Sequence, residues 1–238
     1  MLLCKPSVYF MQCIVSGGFS LGSTERKERE KQLRRNDIID AAERTIAAKG
    51  YSLATMDDIA KEAEFSKRTV YLYFSSKEQL YFEIMVRGYK IFIQMINDSL
   101  GKLNQAERLL RVKQIGITFY DFMERYPDYF QAIMNYENGE KDFINGVTDE
   151  ARAECYALGE EIFRSFANEL TGGIETGEFR RDLDVVETAI LLWSFVLGLF
   201  NTLTKKNNYI KNYHNKDQSE LLMKGLDFLT KSIQSKAQ

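Results

Sequence analysis

The sequence predicts an all-α protein of about nine helices, with an N-terminal three-helix head followed by a longer helical body. Only two prolines and fifteen glycines occur in 238 residues, so long helices can run without interruption. No strand-like alternation joined by Asn-Gly or Asp-Gly turns is present. Because 45% of the residues are hydrophobic, the chain can form one larger core or two smaller ones.

The first helix of the head is predicted at 36–49, where apolar residues share one face and Gly50 ends the helix. The preceding run, 24–35, holds more cations than glutamates. It fits either a solvated helical extension or a basic arm that contacts DNA phosphates or a minor groove, and the interleaved glutamates favour the extension. Residues 1–22 are weakly similar to a secretory signal, but disorder or a start codon placed too early is the preferred interpretation.

The stretch 55–80 predicts two short helices joined by a tight corner, with a third helix directly behind them. Thr55 and Asp58 have the spacing of a capping box at the start of the first short helix. Ile59 and Ala60 belong to the apolar face of that helix. Ser66 is placed to cap the second short helix after the corner. The arrangement is a helix-turn-helix.

The second short helix carries two faces of different chemistry. Val70 and Phe74 are spaced to point at the core. The N-terminal end and the outer face carry cations, a hydroxyl and phenols, namely Lys67, Arg68, Thr69, Tyr71 and Tyr73. A helix that enters a DNA major groove needs such side chains for base edges and phosphates. The same periodicity also fits a small helical bundle with a charged face.

The amino-acid sequence of this stretch resembles that of the DNA-binding head of TetR/AcrR-family bacterial transcriptional regulators. That family has a Thr-led helix with Ile-Ala inside, then Ser-Lys-x-Thr-x-Tyr-x-x-Phe, then Ser-Lys-Glu-x-Leu. Here these elements stand as Thr55 with Ile59-Ala60, as residues 66–74, and as residues 76–80. The resemblance covers about 35–87, with one departure, since a Gly usual at the corner is Glu64 here.

The resemblance implies a sequence-specific DNA-binding regulator, a ligand-responsive repressor that binds a near-palindromic operator as a homodimer in the cytoplasm. The partners it implies are double-stranded DNA, a second copy of the chain, and a small apolar or aromatic ligand. Contact with bases or phosphates is carried onto the matching positions of this sequence, which are Thr55, Lys67, Arg68, Thr69, Tyr71, Tyr73 and Lys77. The alternative is a helix-turn-helix module that binds protein and no DNA.

The body begins with a long helix predicted from Lys77 to about Leu100, which would tie the head mechanically to the rest of the chain. Apolar-faced helices follow at 107–126, 128–138 and 149–176, and the segment 139–146 is predicted to be a loop. The polar run 207–215 is also predicted to be a loop, with His214 in it.

The last two predicted helices, 185–203 and 221–233, are rich in apolar residues and each contains a glycine. A helix that is hydrophobic nearly all round needs partners on every side, so we expect a four-helix interface between two copies of the chain. The family resemblance implies the same dimer. The expected interface residues are Trp193, Leu197, Gly198, Leu222, Gly225 and Leu229.

The body is dense in aromatic residues, and an aromatic stripe at helical spacing is more often core than pocket. Ligand sensing in the body is implied by the family resemblance, because the spacing itself does not show it. If a pocket exists, we expect it to be lined by Phe119, Tyr120, Met123, Tyr136, Tyr156, Phe163 and Trp193.

Several classes of site are disfavoured by composition. The three cysteines have no CxxC spacing and His214 is the only histidine, which argues against a zinc site and against His-dependent catalysis. No phosphate-cradling glycine loop is present, so neither an enzyme nor a cofactor is expected. The run 189–200 is too short for a membrane span. The formal net charge of -2 is compatible with DNA binding, which needs only a local basic surface.

These observations predict three regions. Residues 1–30 form an N-terminal extension with the basic arm, residues 31–80 form the helix-turn-helix domain, and residues 81–238 form the regulatory and dimerisation domain.

Overall fold

A computed structural model of the chain describes residues 23–137 and 150–235, and in these ranges it contains ten helices. Their bounds are α1 (Ser23–Lys49), α2 (Met56–Glu62), α3 (Lys67–Tyr73), α4 (Lys77–Leu100), α5 (Arg108–Arg125), α6 (Pro127–Glu137), α7 (Glu150–Thr176), α8 (Val185–Lys205), α9 (Asn207–His214) and α10 (Gln218–Ile233). The all-α prediction is confirmed. The predicted N-terminal extension at 1–22 and the predicted loop at 139–146 lie outside the described ranges.

The head consists of α1, α2 and α3 packed on the first turns of α4. Each helix contributes a residue that is almost wholly shielded from solvent, such as Ile38 of α1, Ile59 of α2 and Val70 of α3. Phe74, the C-cap residue that follows α3, and Leu80 of α4 complete this small core. Burial of such side chains stabilises the head by about 1.5–3 kcal/mol per residue.

Helix α4 connects the head to the body. Its 24 residues span roughly 36 Å at about 1.5 Å per residue. It packs against α1 in the head and against α5, α6 and α7 in the body. Gly88 permits the closest of these approaches, because a Cβ atom added there would lie 2.9 Å from Cβ of Tyr129 in α6. A tilt of α4 would therefore move the head relative to the body.

The end of α4 distant from the head is fixed by a buried ion cluster. Arg111 of α5 donates through Nε and Nη2 to both carboxylate oxygens of Glu169 in α7, at 2.8 and 2.7 Å. Its Nη1 donates to the carbonyl of Leu100, the last residue of α4, at 2.9 Å. Arg108 donates to the same Glu169 carboxylate at 2.7 Å. Bidentate charge-assisted bonds of this kind hold three helices in one register.

Helices α8 and α10 each have an inward face and an exposed apolar face. The exposed apolar side chains of the pair are Val186, Ile190, Leu191, Trp193, Phe195, Met223 and Phe228. Phe195 and Phe228 stack on each other across the two helices at a ring-centroid distance of 6.3 Å. We refer to these seven residues as the α8–α10 face. This many exposed apolar side chains on two neighbouring helices indicate an interaction surface.

In length and composition α8 also qualifies as a membrane-spanning helix, with a mean hydropathy of 1.6 and 17% of that window buried. One helix of this kind is weak evidence, since core and interface helices have the same composition. The inward residues of α8, among them Ala189 and Phe200, pack into the core of the body.

One sequence prediction needs correction, and another is confirmed. The run 207–215 is not a loop, because Asn207–His214 forms α9, which ends at Asn215 in a left-handed conformation with φ 50°. His214 is exposed, as predicted, but it is the last residue of this helix. The favoured prediction for the charged run 24–35, a helical extension, is confirmed, because α1 is continuous from Ser23 to Lys49. Ion pairs four residues apart, such as Arg34 with Glu30 at 2.5 Å, support that extension.

Candidate nucleic-acid interface and ligand cavity

Three capped helix starts build the helix-turn-helix. The Thr55 hydroxyl accepts a bond from the Asp58 backbone N–H at 3.1 Å, and the Asp58 carboxylate accepts from the Thr55 N–H at 3.1 Å. Ser66 accepts from the Thr69 N–H at 3.1 Å and begins α3. Ser76 does the same for Gln79 at the start of α4, at 3.2 Å. Each cap satisfies a backbone donor that would otherwise lack a partner.

The capping carboxylate of Asp58 is also electrostatically favoured. Lys49 of α1 bonds to it at 2.6 Å, and together with the Thr55 bonds this lowers the pKa of Asp58 to about 2. The cap is therefore fully ionised at neutral pH.

The outer face of α3 is accessible along its length. Lys67 and Arg68 are exposed at its N-terminal end, and Tyr71 has 46% of its surface exposed. Thr69 and Tyr73 are half-buried, and the Thr69 hydroxyl lies 2.8 Å from the Ser66 hydroxyl. Val70 is buried, as its spacing predicts. The structure thus presents a cation pair and a phenol on a helix that is fixed to the head by its other face.

Lys67 is not isolated in the free protein. Its ammonium lies 2.6 Å from the carboxylate of Asp57 in α2, and this bond raises the pKa of Lys67. Both side chains are more than half exposed, so the pair is screened by water and its net stabilisation is small. A phosphate could replace Asp57 as the partner of Lys67 at little cost.

Lys77 has a different environment from the other predicted contact residues. Its ammonium donates to the backbone carbonyls of Tyr51 at 2.5 Å and Ala54 at 2.8 Å, and it lies 4.5 Å from the centroid of the Tyr51 ring. These contacts tie the start of α4 to the segment that leads into Thr55. The geometry gives Lys77 an internal supporting contact in the free protein.

The corner between α2 and α3 departs from ideal backbone geometry. Glu64 has φ 56°, in the left-handed region that glycine adopts without a steric penalty. For other residues this conformation costs roughly 1–2 kcal/mol. The turn is nevertheless closed, since the Phe65 N–H bonds to the Ala60 carbonyl at 3.0 Å. The sequence departure at this corner is accommodated with strain and without opening the turn.

Helix α3, the candidate reading helix, and the early turns of α1 share one side of the head. Tyr73 borders a shallow groove together with Lys27, Lys31 and Arg34, and with Glu30, which is ion-paired to Arg34. With three cations and one carboxylate, the groove beside the Tyr73 phenol is cationic on balance.

The body contains a cavity of about 380 Å³ between α4, α5, α6, α7, α8 and α10. Its walls are mostly aliphatic and aromatic, as in pockets that bind small apolar molecules. Of the predicted pocket residues, four line it, namely Phe119, Tyr156, Phe163 and Trp193. Tyr120 and Met123 lie outside its walls; the Tyr120 hydroxyl instead accepts a bond from Gln218 at 3.2 Å. The side chain of Tyr136 is outside the described part of the chain.

Sequence reasoning missed a polar network that joins this cavity to the head. Arg87 of α4 donates to Asp40 at 2.6 Å and to Glu43 at 2.8 Å, both in α1. The Tyr129 hydroxyl of α6 donates to the same Glu43 carboxylate at 3.0 Å. Burial, and next the charge of Glu43, raise the pKa of Tyr129. The neighbouring residue Phe130 lines the cavity, so α6 contacts both the cavity and the head.

The six residues predicted for a dimer interface have different positions in the structure. Trp193 and Gly198 are exposed on α8, and Leu197 is half-buried. Leu222 and Leu229 are buried within the protomer, and Leu199 packs against Gly225, where an added Cβ would lie 2.6 Å from its Cδ2. The exposed apolar surface is therefore the α8–α10 face, of which Trp193 is part. Sequence periodicity located the helices but could not distinguish their inward from their outward faces.

A capped reading helix with an exposed cationic end, attached by α4 to a body with a cavity, defines a helix-turn-helix DNA-binding transcriptional regulator. The sequence profile described as "Bacterial regulatory proteins, tetR family" matches residues 38–84. The uncharacterized HTH-type transcriptional regulator YfiR of Bacillus subtilis (strain 168) is 34% identical over 152 residues, covering 63% of this chain and 70% of that protein. The chain belongs to the tetR family of regulators, which bind DNA and act as dimers.

Two further proteins are similar over most of their length. The HTH-type transcriptional repressor NicS of Pseudomonas putida is 23% identical over 160 residues, covering 67% of this chain and 72% of that protein. The crystal structure of the transcriptional regulator FadR from Bacillus subtilis in complex with stearoyl-CoA superposes with a TM-score of 0.62 at 21% identity. It covers 83% of this chain and 98% of that one, and this likeness supports the fold.

Proposed function

We propose that the protein is a ligand-responsive repressor that binds a near-palindromic operator as a homodimer. The observation that carries this proposal is the exposed cationic end of α3, Lys67 and Arg68, on a helix capped by Ser66. Two such helices enter successive major grooves, one helical turn or a multiple of it apart. A dimer on promoter DNA represses by occupying the site, and the relative NicS is named as a repressor. Its role is regulatory rather than enzymatic, in the cytoplasm.

The contact residues divide into two groups by position. We assign base edges or adjacent phosphates to Lys67, Arg68 and Thr69, at the N-terminal end of α3. We assign backbone contacts that fix the register to Thr55, Tyr71 and Tyr73. Lys77 lies at the start of α4, next to this surface, and its bonds to the Tyr51 and Ala54 carbonyls support the helix-turn-helix.

The two regions of the chain have separate tasks in this proposal. Residues 31–80 form the DNA-binding domain, and residues 81–238 bind the ligand and the second subunit. The α8–α10 face forms the dimer contact, because its exposed aromatic side chains match the composition of subunit interfaces. A large apolar interface between two copies would bury the surface that a single protomer leaves in water.

The ligand is a small, largely apolar molecule held in the body cavity. Its volume of about 380 Å³ falls within the range of small-molecule sites. The structural relative FadR was crystallised with stearoyl-CoA, which makes an acyl chain a reasonable occupant. Binding acts by favouring the conformer in which the two α3 helices no longer fit their half-sites, since a ligand shifts an equilibrium only by its differential affinity.

Operator binding tests the reading helix directly. Lys67→Ala and Arg68→Ala should each weaken binding to operator DNA by about 1–3 kcal/mol, because each removes a cation from the groove. Lys90→Ala is the matched control, since Lys90 is an exposed, ion-paired lysine on the body side of α4. Full affinity in both α3 variants at matched salt would remove α3 from the interface.

A helix-turn-helix that binds only protein is the alternative. The salt dependence of the affinity for duplex DNA distinguishes the two functions, because contacts with phosphates release counterions. A steep fall in duplex affinity with rising salt supports a DNA reader. If the protein does not bind duplex DNA even at low salt, the protein-binding module is the better interpretation.

A further inference from the structure

Among the described residues, one cation lies in the wall of the body cavity. Among its described lining residues only Lys113 of α5 and Glu160 of α7 are charged, and Glu160 is exposed to solvent. Lys113 has only 23% of its side-chain surface exposed. Its ammonium donates to the carboxylate of Asp227 in α10. This ion pair sits where α5 and α10 meet, at the edge of the cavity that Gly116 and Leu226 also line.

The two members of this pair differ in their access to water. Asp227 has 48% of its side-chain surface exposed, about twice the exposed fraction of Lys113. If the pair opens, the carboxylate can be hydrated, whereas the ammonium remains beside apolar walls. An ammonium in such a setting is costly unless another anion replaces its partner. The cavity is therefore complementary to a ligand that brings its own negative charge to this edge.

We propose that Lys113 determines ligand specificity by selecting molecules whose apolar chain ends in an anionic group. The shared chemistry is an acyl chain with a terminal negative charge, supplied by a free carboxylate or by the phosphates of an acyl thioester. The ligand anion competes with Asp227 for the ammonium of Lys113. This inference rests on the proposed function, because it concerns the ligand of the same cavity.

The test compares probes of equal chain length and different charge. Laurate, lauroyl-coenzyme A and dodecanol are titrated against the full-length protein, and binding is followed by the emission of Trp193. This residue lines the cavity and is the only tryptophan in the chain. The variants are Lys113→Met, Lys113→Arg and Asp227→Asn, with Lys90→Met as control, since Lys90 is ion-paired to Glu154 and does not line the cavity.

The wild-type protein should bind the better of the two anionic probes about tenfold more tightly than dodecanol, which corresponds to ~1.4 kcal/mol for a charge-assisted bond. Lys113→Met should lose this preference and keep its affinity for dodecanol. Lys113→Arg should retain the preference, and Asp227→Asn should increase it by removing the competing carboxylate. Whichever of laurate and lauroyl-coenzyme A binds more tightly then shows whether the ligand anion is a free carboxylate or the phosphates of a thioester.

Two results would overturn the inference, and they differ from a failure of the proposed function. One is a wild-type protein that binds dodecanol as tightly as both anionic probes. The other is a Lys113→Met variant that loses affinity for all probes equally, which would give Lys113 a packing role only. In both cases the wild-type protein still binds a ligand in the cavity, so the ligand-responsive proposal survives. If no probe changes Trp193 emission or operator binding, the ligand-responsive proposal itself fails together with the inference.

Discussion

Replacing Lys77 by methionine separates a supporting contact from a DNA contact. The structure shows two charge-assisted hydrogen bonds, to the carbonyls of Tyr51 and Ala54, and a cation–ring contact with Tyr51. Such bonds contribute about 1.5–3 kcal/mol each when shielded. Lys77 is half-buried, so solvent reduces the sum. We expect Lys77→Met to lower the free energy of unfolding by about 2 kcal/mol, which lowers Tm by about 4–8 °C in a chain of this size.

The measurement is a pair of experiments on the same variant. Thermal unfolding gives the stability loss, and operator binding at several salt concentrations gives the slope of log affinity against log salt. If Lys77 acts through the head, the slope stays at the wild-type value. Lys67→Met is the reference, and it should reduce the slope by about 1 if its ammonium meets a phosphate. A Lys77→Met protein with unchanged Tm and a slope reduced by about 1 would refute the supporting role.

Three further changes test other parts of the structure. Glu64→Gly should raise the free energy of unfolding by about 1 kcal/mol in chemical denaturation, because glycine relieves the left-handed corner; a decrease would show that the Glu64 side chain stabilises the turn. The free energy of unfolding should fall as the pH drops from about 3.8 towards about 2, since protonation of Asp58 removes the bonds from Lys49 and Thr55. An Asp58→Asn variant should show a smaller fall over the same pH range. Equal falls in both proteins would contradict this role of Asp58. Phe228→Glu should weaken self-association by at least about tenfold in sedimentation experiments, because it places a charge on the α8–α10 face. An unchanged dimer would move the interface elsewhere.

The head was predictable because its signals are local. Thr55 with Asp58, and Ser66 with Thr69, lie three residues apart, so the sequence itself displays the caps. The inward position of Val70 follows in the same way from helical spacing. Since a helix-turn-helix is assembled from neighbours in the chain, its geometry can be read without knowing the tertiary structure.

The contacts that fix the cavity and the start of α4, which sequence reasoning missed, are distant in the chain. Lys77 bonds to carbonyls about 25 positions earlier, and Lys113 pairs with a residue 114 positions later. No periodicity within one helix reports such a partner. The same limit applied to α8, where apolar residues occupy both faces and spacing could not say which one is covered. The helix α9 was missed for another reason, because it has only eight residues and none of them is fully buried.

Trp193 can couple two equilibria, which are ligand binding in the cavity and association of the two subunits. The indole lines the cavity, and 44% of its surface is exposed on a helix of the α8–α10 face. In the dimer proposed above, an occupant that shifts this ring alters the surface offered to the other subunit. Reciprocity then requires that subunit pairing alter the affinity for the occupant by the same factor. Dilution alone should therefore change how much ligand the protein holds, and cells with few copies of the regulator would respond at a different dose from cells with many.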